Sequence, residues 1–318
     1  MSKNGSNSLL VRTPAKINLY LRVLGKRDSG YHDIESVLVP VSLHDRILLE
    51  KTEESLEVII EDSSSVPVDA IRNGHSEDNL MIKAAMALKK NTGFQGGVRM
   101  CLEKNIPIGG GLGGGSADAA GVLIGLNQLW DTGLSRKELI TLGGGLGCDI
   151  PALIHGGAVL MEGLGEKVSP VSMAKGEKSL WWLVLINPGF GVSTGDIYAR
   201  YSLSLTSVLN PIKHVISALK EGDANLAVKG LFNALQDTVF RKYPLIEIIA
   251  ENLAKAGSSG VLLSGSGASV FGMARDEEHA RELSERVRQL PGCSVWSRAV
   301  RILPDGVMVA HGPLEARV

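Results

Sequence analysis

Polar and apolar residues alternate from Lys16 to Val23, with Asn18, Tyr20 and Arg22 on one face, the spacing of a half-buried strand. Lys16 and Asn18 then point the same way. Leu9–Arg12 predicts a shorter strand before it, ended by Pro14. Ile34–Val41 predicts a further strand, and 47–51 and 56–61 predict an antiparallel pair joined through Glu53-Glu54. Asp62–Ser76 reads as a polar loop. The period then turns helical: Leu80, Met81, Ala84, Ala85 and Leu88 form one face of a helix running to about Lys90, capped by Asp78 or Asn79. An alternating strand follows at 98–102, and Val122, Leu123, Leu126, Leu129 and Trp130 again lie close to helical spacing. Ser135 to Glu138 is a capping box, and 155–161 predicts a strand that turns at Gly163-Leu164-Gly165-Glu166. There the chain is divided into 1–163 and 164–318. In the second half, 180–186 predicts a buried strand, and Ser193 or Thr194 caps the next helix. Helices follow at about 212–221, 224–235 and 244–256, strands at 261–264 and 268–271, an amphipathic helix at 276–290 and a strand at 293–300. That order fits an α+β sandwich with antiparallel strands.

One stretch breaks every period. Six of the seven positions from 109 to 115 are glycine, followed by Ser116 and an apolar helix. Glycine reaches positive φ and lets backbone approach a ligand. A helix N-terminus adds unpaired N–H groups and the positive end of a dipole. Together they form a phosphate cradle. A Walker A loop is excluded, because no Lys follows the glycines. Gly109, Gly111 and Gly114 fit a dinucleotide fingerprint formally, but a run this rich in glycine fits almost any such pattern. That fingerprint also wants a buried parallel strand directly before it, whereas Glu103, Lys104, Asn105 and Pro107 intervene.

Composition narrows the partners. The 318 residues suffice for two domains, and a formal net charge of −1 argues for neither nucleic acid nor a membrane surface. Three cysteines, Cys101, Cys148 and Cys293, are too few and too scattered for a disulfide framework or zinc site, which suits a reducing cytoplasm. The polar start lacks the apolar core of a signal peptide, and no apolar run approaches a membrane span.

Individually, the candidate residues have bland readings. Lys16 is an edge lysine in water, and Asn18 a strand polar residue facing solvent. Tyr31 caps the core while His32 is a loop histidine, although a phenol and an imidazole at a loop end can also hold a flat heterocycle. Asp149, between Gly147 and Pro151, is a common N-cap arrangement. Lys104 is a loop lysine.

Four separated segments read together differently. Pro107–Ala117 resembles the ATP loop of the GHMP kinases. Pro14-Ala15-Lys16-Ile17-Asn18-Leu19 with Gly30-Tyr31-His32, and Gly147-Cys148-Asp149-Ile150-Pro151, resemble the branch of that family acting on CDP-methylerythritol. Ser264–Phe271 resembles the third family motif, with Ser266 where threonine is usual. The resemblance runs from about Leu9 to Val300, and the tail past Leu303 lies outside it.

The resemblance implies a two-domain GHMP kinase fold. The first domain is ribosomal S5 domain 2-like with a left-handed crossover and binds ATP; the second is a ferredoxin-like α/β sandwich that binds substrate. It implies transfer of the γ-phosphate of ATP to the 2-hydroxyl of CDP-methylerythritol in non-mevalonate isoprenoid synthesis, by a cytoplasmic monomer or homodimer. Asp149 is then the base and Lys16 its cationic partner. Pro107, Ile108, Gly109, Gly110, Gly111, Leu112, Gly113, Gly114, Gly115, Ser116 and Ala117 cradle the phosphates, and Ser116 is the candidate Mg2+ ligand. Asn79 and Lys104 fall near the adenine. Tyr198 stacks on the cytosine, His32 reads its edge and Tyr31 packs nearby. Asn18 and Thr194 hold the erythritol–diphosphate part, and Gly265 and Gly267 close the cradle. A kinase of another small alcohol, such as homoserine or a sugar, and a non-catalytic nucleotide binder are the competing readings.

Overall fold

The computed structural model describes residues 7–72, 78–176, 181–202, 211–289 and 295–311. Residues 1–6, Ser76, Leu180, Leu290, Cys293 and the tail from 312 lie outside the described residues. The first half runs β1 (Ser8–Lys26), β2 (His32–Thr52), β3 (Leu56–Ile60), α1 (Asp69–Arg72), α2 (Leu80–Thr92), β4 (Gly97–Glu103), α3 (Gly114–Leu129), α4 (Arg136–Gly144), α5 (Ile150–His155), β5 (Val159–Gly163) and β6 (Lys167–Pro170). The second runs β7 (Trp182–Asn187), α6 (Thr194–Arg200), α7 (Ile212–Glu221), α8 (Ala224–Gly230), β8 (Phe232–Asn233), α9 (Gln236–Lys242), α10 (Pro244–Lys255), β9 (Val261–Leu263), β10 (Val270–Ala274), α11 (Glu277–Arg288), β11 (Trp296–Arg301) and β12 (Met308–His311).

Two sheets organise these elements. The larger has the order β12-β1-β2-β4-β3, with β5 on β2, β6 on β5 and β8 on β1. The smaller, β11-β7-β10-β9, is antiparallel throughout, as the sequence predicts. Leu9, Val11, Ile47, Leu49 and Met100 pack under Leu88 of α2 and Leu123 and Leu126 of α3. Helix α3 lies close on the sheet because Gly121 faces β1, where a Cβ would stand 2.2 Å from Thr13 Cγ2. Further along β1 and β2, Ile17, Leu19, Val37 and Val39 join Leu183, Leu185 and Phe271 of the second sheet in one core. That shared core makes the middle of β1 buried on both faces, where alternation alone predicts half-burial. Leu253 of α10 and Leu283 and Val287 of α11 cover the second sheet through Val184, Ile186 and Val270.

Several boundaries differ from expectation, each for a tertiary reason. Pro14 does not end a strand: β1 runs through it, and the ladder to β2 shifts register between Pro14 and Lys16. A bulge absorbs the missing N–H of proline. Residues 34–41 and 47–51 belong to the one strand β2, and β3 does not pair with it. Instead β4 lies between them, antiparallel to β2 and parallel to β3, with α2 in the crossover. His155 closes α5, and Gly156 and Gly157, both at positive φ, turn the chain into β5. The Gly163–Glu166 turn is the tip of the β5–β6 hairpin. The helix expected over 224–235 stops at Gly230, after which Phe232 and Asn233 pair with Tyr20 and Leu21. The tail has a place: Met308–His311 pairs with Leu9–Arg12 at the edge of the first sheet.

Candidate active site

A cleft of about 930 Å³ lies between the two sheets, walled by the glycine loop, the β1–β2 hairpin and α6. The loop is tied down through its carbonyls. Gly109 O accepts from Val192 N at 3.0 Å, Gly110 O from Ser269 N at 3.0 Å and Leu112 O from Lys16 N at 2.9 Å. Gly111 O accepts from Ser264 Oγ at 3.0 Å. Gly109, Gly111 and Gly113 alternate at φ of 65°, 74° and 69°. A Cβ on Gly111 would sit 2.1 Å from Ser264 O, so the third glycine-rich motif clamps the first only because no side chain intervenes. Helix α3 then starts at Gly114 with no side-chain cap. Its first amides have no intrahelical partner and suit an anion.

Lys16 comes from β1 beside this loop, its stem against Gly113. Its side chain is buried, not solvated, and Nζ donates to Asn18 Oδ1 at 2.7 Å. Asn18 is fixed in turn: its Nδ2 donates to Ser36 Oγ at 2.8 Å, and that hydroxyl donates to Tyr20 O at 2.7 Å. Asp149 occupies the N-cap position of α5 but makes no side-chain cap bond. Its carboxylate lies 3.3 Å from Lys16 Nζ and stays 30% exposed to the cleft. An anion with a buried cation beside it and one open side can receive a proton from a hydroxyl in the cleft.

The far end of the cleft is aromatic. His32 opens β2, with its ring 5.3 Å from Tyr198 and 6.4 Å from Tyr201 between centroids. Burial, and then the Lys26 charge, push the His32 imidazole below its ordinary value. Burial and then the Asp149 carboxylate push the Tyr198 phenol up, so it stays a neutral donor. Tyr31 is 64% exposed at the rim. Thr194, at the start of α6, shares a 2.8 Å hydrogen bond with Ser266.

The remaining expected residues are placed unevenly. Pro107, Ile108, Gly110, Gly115, Ser116 and Gly265 reach the cleft. Leu112 and Ala117 do not, because their side chains turn into the core. Gly267 faces Leu263 and Val239. Asn79 caps α2 by accepting from Met81 N at 2.8 Å. Lys104 reaches the cleft floor, but its ammonium is held by Asp45 and Asp118. Sequence reasoning missed Ser36, Asp45, Asp118, Tyr201 and Asn233. Asn233 Nδ2 donates to Leu263 O at 2.9 Å and Gly265 O at 2.7 Å, holding the third motif in place. Asp118, an acid inside an apolar helix, and Ser36, a hydroxyl inside an apolar strand, were the available signals. No group of three His, Cys, Asp or Glu that could hold a metal occurs among the described residues.

The GHMP kinases N terminal domain family matches residues 79–157 and the GHMP kinases C terminal family matches 215–291. A 4-diphosphocytidyl-2-C-methyl-D-erythritol kinase of Symbiobacterium thermophilum is 41% identical over 87% of this chain and 94% of its own length. The chain belongs to the 4-diphosphocytidyl-2-C-methyl-D-erythritol kinase family. A second member, from Bacillus cytotoxicus, is 36% identical over 93% of this chain and 98% of its own. A crystal structure of 4-(cytidine 5'-diphospho)-2C-methyl-D-erythritol kinase superposes at a TM-score of 0.75 with 30% identity, covering 92% of this chain and 99% of that one. A homoserine kinase from Cytophaga hutchinsonii reaches the same TM-score at 18% identity, covering 98% and 99% of the two chains. That likeness carries the fold alone, so sequence identity, not backbone shape, separates the branches. As a member of the erythritol kinase family the chain is an ATP-using small-molecule phosphotransferase. Among the described residues no helix is long and apolar enough to cross a membrane.

Proposed function

We propose that the chain transfers the γ-phosphate of ATP to the 2-hydroxyl of 4-diphosphocytidyl-2-C-methyl-D-erythritol, in non-mevalonate isoprenoid synthesis. The observation that carries the mechanism is the 3.3 Å approach of Lys16 Nζ to Asp149 at the open side of the glycine loop. The alcohol oxygen attacks the γ-phosphorus, the bond from that phosphorus to the β–γ bridging oxygen breaks, and ADP leaves. The hydroxyl proton passes to Asp149 as the new bond forms. Lys16, 3.3 Å from that carboxylate, offsets charge gathering on the transferred phosphoryl oxygens. Amides of the glycine loop and of the first turn of α3 hold the β- and γ-phosphates.

Ser116 offers a hard oxygen donor on the cleft wall, which fits a Mg2+ whose other ligands are nucleotide phosphates and water. That ion would supply charge neutralisation on the β- and γ-phosphates. Tyr198 and His32 take the cytosine, with Tyr31 at the rim, and Asn18 and Thr194 take the diphosphate and polyol. A cytoplasmic setting and a monomeric or dimeric state belong to the same reading.

The test is coupled ADP release with Mg-ATP and the cytidine substrate, wild type beside Tyr198→Ala. Turnover in wild type and a strongly raised KM for the cytidine substrate in the variant are expected. Turnover of homoserine or a sugar in place of the cytidine substrate would move the chain to another branch of the family.

A further inference from the structure

Three charged side chains meet beneath the glycine loop. Lys104, Asp45 and Asp118 are all buried, and Lys104 Nζ donates to Asp118 Oδ2 at 2.7 Å and to Asp45 Oδ2. The other Asp118 oxygen accepts from Thr13 Oγ1 at 3.0 Å. The other Asp45 oxygen accepts from Asn105 N at 2.6 Å and Ile106 N at 2.9 Å. Strands β1 and β2, the segment after β4 and helix α3 are thereby bolted together. Stability is a weak reason for such a cluster, since buried ion pairs are often replaceable by apolar groups without loss. Its position offers a better one. A Cβ on Gly114 would lie 2.9 Å from Lys104 Nζ, so the ammonium sits against the first residue of α3. That helix has no side-chain cap of its own.

We infer that Asp118 and Lys104 are positioning residues for the nucleotide: the triad seats the first turn of α3 so that its amides stay aimed at the phosphates. The inference rests on reading the glycine loop as the ATP cradle. Two of the three ammonium donors are spent on carboxylates, so Lys104 acts on the loop rather than reading the adenine.

The test compares Asp118→Ala, Asp118→Asn and Thr13→Val by binding of a fluorescent ADP analogue, steady-state kinetics and thermal melting. Misplacing reacting groups by an ångström can cost roughly 100-fold, so Asp118→Ala is expected to weaken ADP binding and lower kcat by about 10- to 100-fold. KM for the alcohol stays unchanged. Asp118→Asn keeps an oxygen for Lys104 and restores most of the loss. Thr13→Val, which removes the hydroxyl that donates to Asp118 and lies 3.5 Å from Asp45 O but removes no charge, weakens ADP binding in the same direction. The ratio of ATP to GTP turnover stays as in wild type in all three. A lowered melting temperature with unchanged ADP affinity would overturn the inference, as would a changed ATP to GTP ratio. Binding of ADP needs no alcohol substrate, so a wrong substrate assignment would leave this result standing.

Discussion

Asp149 heads helix α5 yet leaves it uncapped, and its carboxylate instead lies 3.3 Å from Lys16 Nζ on β1. The usual local use of an Asp at this position is thus given up for a contact with a distant strand. Asn18 and Gly265 crowd the same ammonium, Gly265 so closely that a Cβ there would stand 3.3 Å from Nζ. The pair is therefore held from several sides.

Asp149→Asn is expected to lower kcat by about 10²- to 10⁴-fold, the usual worth of general base help. Lys16→Met should cost a similar amount. The double variant should be little worse than either, because groups acting as a unit are not additive. Coupled ADP release on the four proteins checks this, and additive losses would mean separate roles.

Gly111→Ala should abolish nucleotide binding. The new Cβ would meet Ser264 O at 2.1 Å, at a φ of 74° that L side chains rarely adopt. Gly25→Ala, with nothing within 4 Å of its Cβ, is the control and should bind as wild type. Fluorescent ADP titration reads both.

His32 should titrate below its ordinary value of 6.5, because burial and the Lys26 charge disfavour the imidazolium. Its neutral form is the one favoured in the fold, so the stability it contributes is present above 6.5 and lost as pH falls through the lowered value. An NMR titration of the His32 ring gives the midpoint. Lys26→Gln should move it back towards 6.5, and an unmoved midpoint would remove Lys26 as a cause.

Asp45 runs the other way. Burial and the neighbouring Asp118 charge raise its carboxyl from 3.8 to about 7, against the pull of Lys104. The fold binds this proton more tightly than the unfolded chain does, so this contribution is full below 3.8 and is lost as pH rises to about 7. Thermal melts across that window should show a declining term in wild type that is missing in Asp45→Asn. Parallel curves for the two proteins would contradict it.

Features set by near neighbours in the chain were legible in the sequence. The glycine run opening α3 was readable, as were the capping box at Ser135 and Glu138 and the cap of α2, narrowed to Asp78 or Asn79, because each needs only residues a turn away. The antiparallel second sheet followed from its order of short elements. The family was legible too, since four segments keep their residue types in order. What only the tertiary structure decided was which residues met. Lys16, Asp149 and Lys104 each had an ordinary solvated or capping use, and periodicity treats a lysine facing water and one facing two carboxylates alike. The cost of burying a charge is settled by partners arriving from distant segments: Asp149 from α5 for Lys16, Asp45 and Asp118 from β2 and α3 for Lys104. The insertion of β4 between β2 and β3, and the return of β12 to β1, likewise rest on backbone pairing across long loops, to which hydrophobic alternation is blind.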